Sequence, residues 1–183
     1  MIESARLILR VPEPRDRPAL YAMWADPQVM ADLGPVKDAE ASDAVLAKHD
    51  RYRGDGLGFL AVERREDGAV IGFCGLKPGA EDTPIEGELE IGWTLATPYW
   101  GRGYAREAAV ACIEWAWANT DAPRIVAITS AGNERSRGLM VRLGMVYLPG
   151  FDFHHPLFAS GDPLGDTVTY AIDRPAGAAN HRA

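Results

Sequence analysis

Trp100-Gly101-Arg102-Gly103-Tyr104-Ala105 decides how the rest of this chain is read. It is entered from Glu88-Leu89-Glu90-Ile91-Gly92-Trp93-Thr94-Leu95 and left into an Ala-rich stretch running from Tyr104 to about Asn119. Strand, glycine-bearing turn and helix start therefore follow one another. That succession aims several unpaired backbone N–H groups at one point, with the positive end of a helix dipole behind them. Anions bind at such a point, and a pyrophosphate fits it. A βα turn whose glycines only relieve backbone strain fits the same letters.

Working outward, odd positions from Leu89 to Leu95 are apolar and even ones polar or small, the period of a strand. Gly92 inside it marks a bulge or a close backbone approach. Downstream, the Tyr104 helix buries Ala105, Ala108, Ala109, Cys112, Ile113 and Ala116, and Arg124 to Ser130 reads as a buried strand. Asn133 caps a helix with Leu139, Met140 and Leu143 inward, which Gly144 ends. Val146 to Leu148 and Thr167 to Ile172 are closing strands around an irregular loop, Pro149 to Asp166, that holds both central histidines. Upstream, Arg6 to Val11 is a strand, Asp16 a helix cap ahead of Leu20, Met23 and Trp24, and Pro27 a breaker. A second helix spans Ala41 to Tyr52. Strands at Phe59 to Glu63 and Ala69 to Leu76 flank Asp67-Gly68, a hairpin signal.

The 183 residues suit one domain with a proper core. A net charge of −7 argues against nucleic acid as the main partner. Cys74 and Cys112 read as small core residues of a reducing compartment, without metal-ligand spacing, so no metal is expected. No apolar run approaches membrane-spanning length and the N-terminus does not read as a signal peptide, so a cytoplasmic location is expected, with no membrane partner.

Taken in order, these pieces resemble the GNAT superfamily of N-acetyltransferases, and within it the RimJ/RimL-type subgroup. Leu7-Ile8-Leu9-Arg10 with Asp26-Pro27-Gln28-Val29-Met30 is similar to the opening of that subgroup. Val70 to Leu76 is similar to its second hairpin arm, Glu90 to Leu95 with Tyr99 to Ala105 to its acetyl-CoA strand and pyrophosphate loop, and Asn133-Glu134-Arg135-Ser136 with Leu143-Gly144-Met145 to its later CoA-contacting helix. The resemblance implies an α/β fold: a twisted mixed sheet of six to seven strands, splayed between two central parallel strands and flanked by about four helices. It implies one domain over residues 1–173, with 174–183 a loose tail. Trp100 stands where the superfamily loop usually has Gln or Arg, and is a mark of the subgroup. Met140 stands where many members carry a tyrosine acid, so that role is absent here.

The resemblance further implies acetyl transfer from acetyl-CoA, as co-substrate, to an amine, directly in a ternary complex. Backbone groups of Trp93, Thr94 and Leu95 would pair with the pantetheine arm, and an N–H there would polarise the thioester carbonyl. Gly101, Arg102, Gly103, Tyr104, Ala105 and Arg106 would hold the pyrophosphate. Asn133 would bond the arm, or serve only as a helix cap. Glu88 and Glu90 share one strand face, and either would deprotonate the amine, directly or through water; a solvated sheet face is the alternative for both. Ser136 resembles a serine invoked as thiolate acid in RimL-type enzymes, or simply satisfies backbone.

Acceptor contacts are expected from Trp24, Tyr99, Phe153 and His155, with Phe151 and His154 beside them. The acceptor is a small-molecule amine or a protein N-terminus, and the protein a monomer or homodimer. A dinucleotide oxidoreductase is rejected, because Arg106 occupies the third glycine position and the turn lies midway along the chain. A catalytically silent acyl-CoA sensor is the remaining alternative; thiol release with an amine panel separates it from an enzyme.

Overall fold

The computed structural model describes residues 1–176. In chain order its elements begin with strands β1 (Ile2–Glu3) and β2 (Leu7–Arg10), then helices α1 (Arg17–Ala25), α2 (Pro27–Met30) and α3 (Ala39–Asp50). Strands β3 (Leu60–Arg64), β4 (Val70–Pro78) and β5 (Leu89–Leu95) precede the 16-residue helix α4 (Tyr104–Asn119). Strand β6 (Arg124–Ser130), helix α5 (Glu134–Arg142) and strands β7 (Val146–Tyr147), β8 (Phe153–His154) and β9 (Asp166–Asp173) complete it.

All nine strands join one sheet in the order β1-β2-β3-β4-β5-β6-β9-β7, with β8 also on β9. Three of them are two-residue ribbons, leaving six of substance, and four helices reach nine residues or more. Every pairing is antiparallel except β5 with β6. That parallel pair is joined only at Leu89↔Ile125 and Glu90↔Val126. Both strands run on for several residues, so beyond Glu90 they part. This is the expected splay.

The two sheet faces are covered differently. Alanines 108, 109 and 116 with Cys112 let α4 lie close on Leu76, Ile91 and Ile125. On the opposite face Leu20, Met23, Trp24, Val29 and Met30 close over Phe73, with Trp24 edge-on to Phe73 at 5.3 Å. Side chains such as Leu7, Ile71, Ile91 and Ile125 are fully buried, each stabilising the fold by about 1.5–3 kcal/mol. Gly92 is a close approach and not a bulge: β4 and β5 stay in register through it, and a Cβ there would lie 2.5 Å from Phe59 Cζ.

Several local expectations are corrected. Asp16 makes no cap bond to α1; its carboxylate takes two bonds from Arg10, at 2.7 and 2.8 Å, and one from the Glu13 amide at the turn before that helix. Pro27 does not merely break a helix but opens α2, whose cap is Asp26, accepting from Gln28 N–H at 2.8 Å. The third helix begins at Ala39 and ends at Asp50, capped by Asp38. Arg174, expected in a loose tail, is tied to the carbonyls of Ala122 and Trp117 at 3.0 and 2.8 Å and to that of Thr120. The rest of that expectation, from 177 on, lies outside the described residues. Cys74 and Cys112, far apart in sequence, come within 3.9 Å as buried thiols.

Candidate active site

The mouth of the splay is built from backbone. Gly101 and Gly103 have φ of 71° and 80°, a region that costs an L side chain roughly 1–2 kcal/mol. The helix ladder of α4 begins with Glu107 N–H donating to Gly103 O at 3.0 Å. The amides of Tyr104, Ala105 and Arg106 therefore stand outside the ladder, at its positive end. A Cβ added at Gly101 would meet nothing within 4 Å, so the turn faces open space. Arg6 braces it from behind: Nη1 donates to Arg102 O at 3.1 Å, and the guanidinium covers the Tyr104 ring at 4.5 Å.

The gap itself is lined by β5. Ala96 N–H donates to Ile71 O across the β4 side. Peptide groups alternate along an antiparallel strand, so Trp93 and Leu95 turn theirs away from β4 and into the gap, while Thr94 faces β4. Loop and strand open into one cleft of about 710 Å³. Trp93, Thr94, Leu95, Tyr99, Gly101, Gly103, Tyr104, Ala105, Arg106, Asn133 and Ser136 all line it, which brings together most of the residues expected to hold the cofactor. Arg102 is outside that lining and meets the loop's brace through its carbonyl. The cleft is edged by unladdered amides and by Arg106, Arg135 and Arg142, and these residues suit a diphosphate with an amide-bearing arm.

Asn133 holds the helix-cap role. Buried at 5% exposure, its Oδ1 caps α5 by accepting from Ser136 N–H at 3.0 Å, and its side chain also borders the cleft. Met140 is buried in the core.

The two carboxylates are separated from this cleft. Glu88 is held by Arg124, whose Nε donates to Oε1 at 3.0 Å and whose Nη2 reaches the same oxygen. Glu90 is 6% exposed and paired with Lys77. Burial raises its pKa above the usual carboxylate range, against the pull of Lys77 and Lys48. By strand parity Glu90 shares the face of Thr94 and Phe73, under α1 and α3.

The residues expected around the acceptor divide. Trp24 is a core side chain, 4% exposed, because α1 turns its apolar stripe onto Phe73. Tyr99 borders the cleft, 6.5 Å from the Tyr104 ring. Phe153 and His155 are half-buried neighbours at 5.9 Å, and Phe158 beyond them lies against Gly34, after α2. Burial lowers the pKa of His155, and the Lys48 and Lys77 charges lower it further. His154 turns away to Asp166 and Ala159 O, and the Asp166 bond raises its pKa.

The sequence reading missed the α2 segment: Gln28, Val29, Asp32 and Leu33 line the cleft, held by Thr97 Oγ1 donating to Asp26 at 2.9 Å. The Asp26-Pro27 pair was the available signal, as an N-cap followed by proline. It also missed Arg142, at the cleft wall, and gave Arg135, which lies there too, no role of its own. Among the described residues, no group of three or more His, Cys, Asp or Glu side chains could hold a metal, and no helix is long and apolar enough to cross a membrane.

Known proteins share this fold. A family described as "Acetyltransferase (GNAT) domain" matches residues 6–146. The uncharacterized N-acetyltransferase YnaD of Bacillus subtilis (strain 168) is 30% identical over 174 residues, 93% of this chain and 95% of that protein. A solved acetyltransferase from Agrobacterium tumefaciens str. C58 is 31% identical, covers 93% of this chain and 92% of its own, and superposes with a TM-score of 0.75. The ribosomal L7/L12 α-N-protein acetyltransferase RimL, solved in complex with coenzyme A, has the same fold at 19% identity, with a TM-score of 0.72 over 93% of this chain and 95% of that one.

Proposed function

The chain belongs to the GNAT acetyltransferase family and is an acyltransferase, and from that premise we propose that it moves an acetyl group from acetyl-CoA directly to a primary amine. The acceptor is a protein N-terminal α-amine or a small-molecule amine, in the manner of the RimJ/RimL-type subgroup, and residues 1–173 act as the single catalytic domain. One observation carries the reading. The parallel strands β5 and β6 part after Glu90, and the cleft this opens ends at the unladdered amides of α4.

The co-substrate supplies an activated acetyl thioester, and the chain's own groups do the rest. The amides of Tyr104, Ala105 and Arg106, with the Arg106 side chain, hold the diphosphate. Trp93 and Leu95 offer backbone groups to the pantetheine arm, and an N–H there polarises the thioester carbonyl. Ser136, at the cleft wall, holds a hydroxyl proton for the departing thiolate.

Glu90 is the better placed of the two carboxylates to take the amine's proton, through water. Both are paired, Glu88 with Arg124 and Glu90 with Lys77, but Glu90 is the buried one, and burial raises its pKa. The demand on a base depends on the acceptor. At pH 7 about a tenth of α-amines of pKa ~8 are neutral, but only about one lysine in 2,500 at pKa ~10.4. A base with no direct line to the cleft suits an α-amine, or another amine of low pKa.

The test is a panel of amines (peptide N-termini, polyamines, aminoglycosides, amino-acid derivatives) with acetyl-CoA and thiol detection. The reading expects thiol release matched by acetylated product for at least one of them. Binding of acetyl-CoA without transfer to any amine would contradict it and favour a sensor.

A further inference from the structure

Trp100 has a place that neither the phosphate-binding turn nor the acceptor side explains. Its ring packs against both core clusters, the one beneath α4 and the one beneath α1, so it stands where β5 and β6 have already separated. Its Nε1–H donates to the Leu95 carbonyl at 2.7 Å. The Arg135 guanidinium lies over its face at 4.3 Å, and both side chains border the cleft.

The bond to Leu95 changes what the edge of β5 offers. Leu95 turns its amide and carbonyl toward the gap, and the indole engages the carbonyl. Trp93, one strand repeat deeper, presents both groups. An arm of alternating amides laid along this edge needs a donor and an acceptor at each step. It finds both free at Trp93, whereas at Leu95 the donor is free and one lone pair of the carbonyl is already taken by the indole. Slipping outward by one repeat, about 6.8 Å, would set an arm N–H against a carbonyl that is already bound.

We propose that Trp100 is a positioning residue that fixes the depth of the coenzyme A arm: its indole closes the Leu95 carbonyl, so the arm pairs at Trp93 and the acyl carbon is held at one place in the gap. This rests on the acetyl-CoA reading above. It makes Trp100 a determinant of acyl-chain selectivity, because a fixed depth leaves a fixed space for the acyl group.

Trp100→Phe tests it, since the ring and the seat for Arg135 remain while the N–H is lost. Calorimetry should give a coenzyme A Kd within about threefold of wild type, whereas kcat with acetyl-CoA falls about tenfold, as loss of one hydrogen bond at the reacting register allows. The preference for acetyl-CoA over propionyl-CoA should shrink in the same variant.

Wild-type kcat and acyl preference in Trp100→Phe would overturn the proposal, and so would a kcat loss explained wholly by lost coenzyme A binding. A readout needing no variant is hydrogen exchange of the Trp100 indole proton by NMR. It should stay protected when coenzyme A binds, and release on binding would overturn the pin. Failure of wild type to bind coenzyme A would instead overturn the acetyl-CoA reading itself.

Discussion

Arg6 and Glu107, 101 positions apart, are joined by a 2.6 Å ion pair that ties the start of β2 to the first turn of α4. Glu107 also accepts from Ser4 Oγ and the Arg6 amide, each at 2.7 Å. Burial alone would raise the Glu107 pKa; the Ser4 and Arg6 bonds overcome it and hold the carboxyl below its usual range. The same Arg6 reaches the Arg102 carbonyl, so the turn is braced through one side chain.

The brace should matter more for cofactor affinity than for chemistry. Glu107→Ala should weaken coenzyme A binding by about three- to tenfold, a loss of one charge-assisted bond's ordering, and leave kcat at saturation within about twofold. Calorimetry and saturation kinetics together check this. A kcat loss without an affinity loss would remove the brace from its role.

Gly103 separates strain from charge. With φ at 80°, Gly103→Ala should cost roughly 1–2 kcal/mol of stability by thermal or urea unfolding and weaken coenzyme A modestly. Gly103→Glu carries the same strain and adds a negative charge at the helix mouth, so binding should fall by about a hundredfold or more. Equal affinities for the two variants would mean that the turn does not hold the diphosphate.

The two carboxylates should behave differently in the pH–rate profile. Glu88→Gln should leave the profile unshifted, because Arg124 already holds that side chain outside the cleft. In wild type an acid limb of kcat/KM should lie above the ordinary carboxylate range, where burial has moved Glu90, and Glu90→Gln should remove it. An acid limb that survives in Glu90→Gln would assign the base elsewhere.

His49 makes stability depend on pH. It is buried, stacked on Phe59 at 4.3 Å, and its Nδ1 accepts the Phe59 N–H at 3.2 Å. Burial first, then the Lys48 and Lys77 charges, lowers its pKa to about 3. The fold therefore favours the neutral ring. Its contribution is complete above the unfolded value of ~6.5 and is lost as pH falls toward about 3. Urea unfolding should show stability declining by up to about 1.4 kcal/mol per pH unit below ~6.5, and His49→Gln should flatten that slope between about pH 6.5 and 5.

What could be read from the letters follows range of interaction. The alternation of Leu89 to Leu95, the alanine face of α4 and the Asp67-Gly68 hairpin are local patterns, and each lies where it was read. The cleft residues from Trp93 to Arg106 follow the same logic, because one strand, one turn and one helix start position them. Glu88 looked equivalent to Glu90 because parity gives a face and not a partner; only the fold brings Arg124 beside the first and Lys77 beside the second. Asp16 looked like a cap because its competing partner, Arg10, lies on a strand and not in the helix. Arg174 read as loose for the same reason, since carbonyls 52 to 57 positions away hold it. Trp100 carried no local sign that its indole would close a carbonyl of the strand before it.

Calorimetric titration of wild type with acetyl-CoA reaches the central claim most directly. The account predicts single-site binding with a Kd between about 1 μM and 1 mM, abolished by Gly103→Glu. No heat at millimolar acetyl-CoA, or undiminished heat in Gly103→Glu, would contradict it.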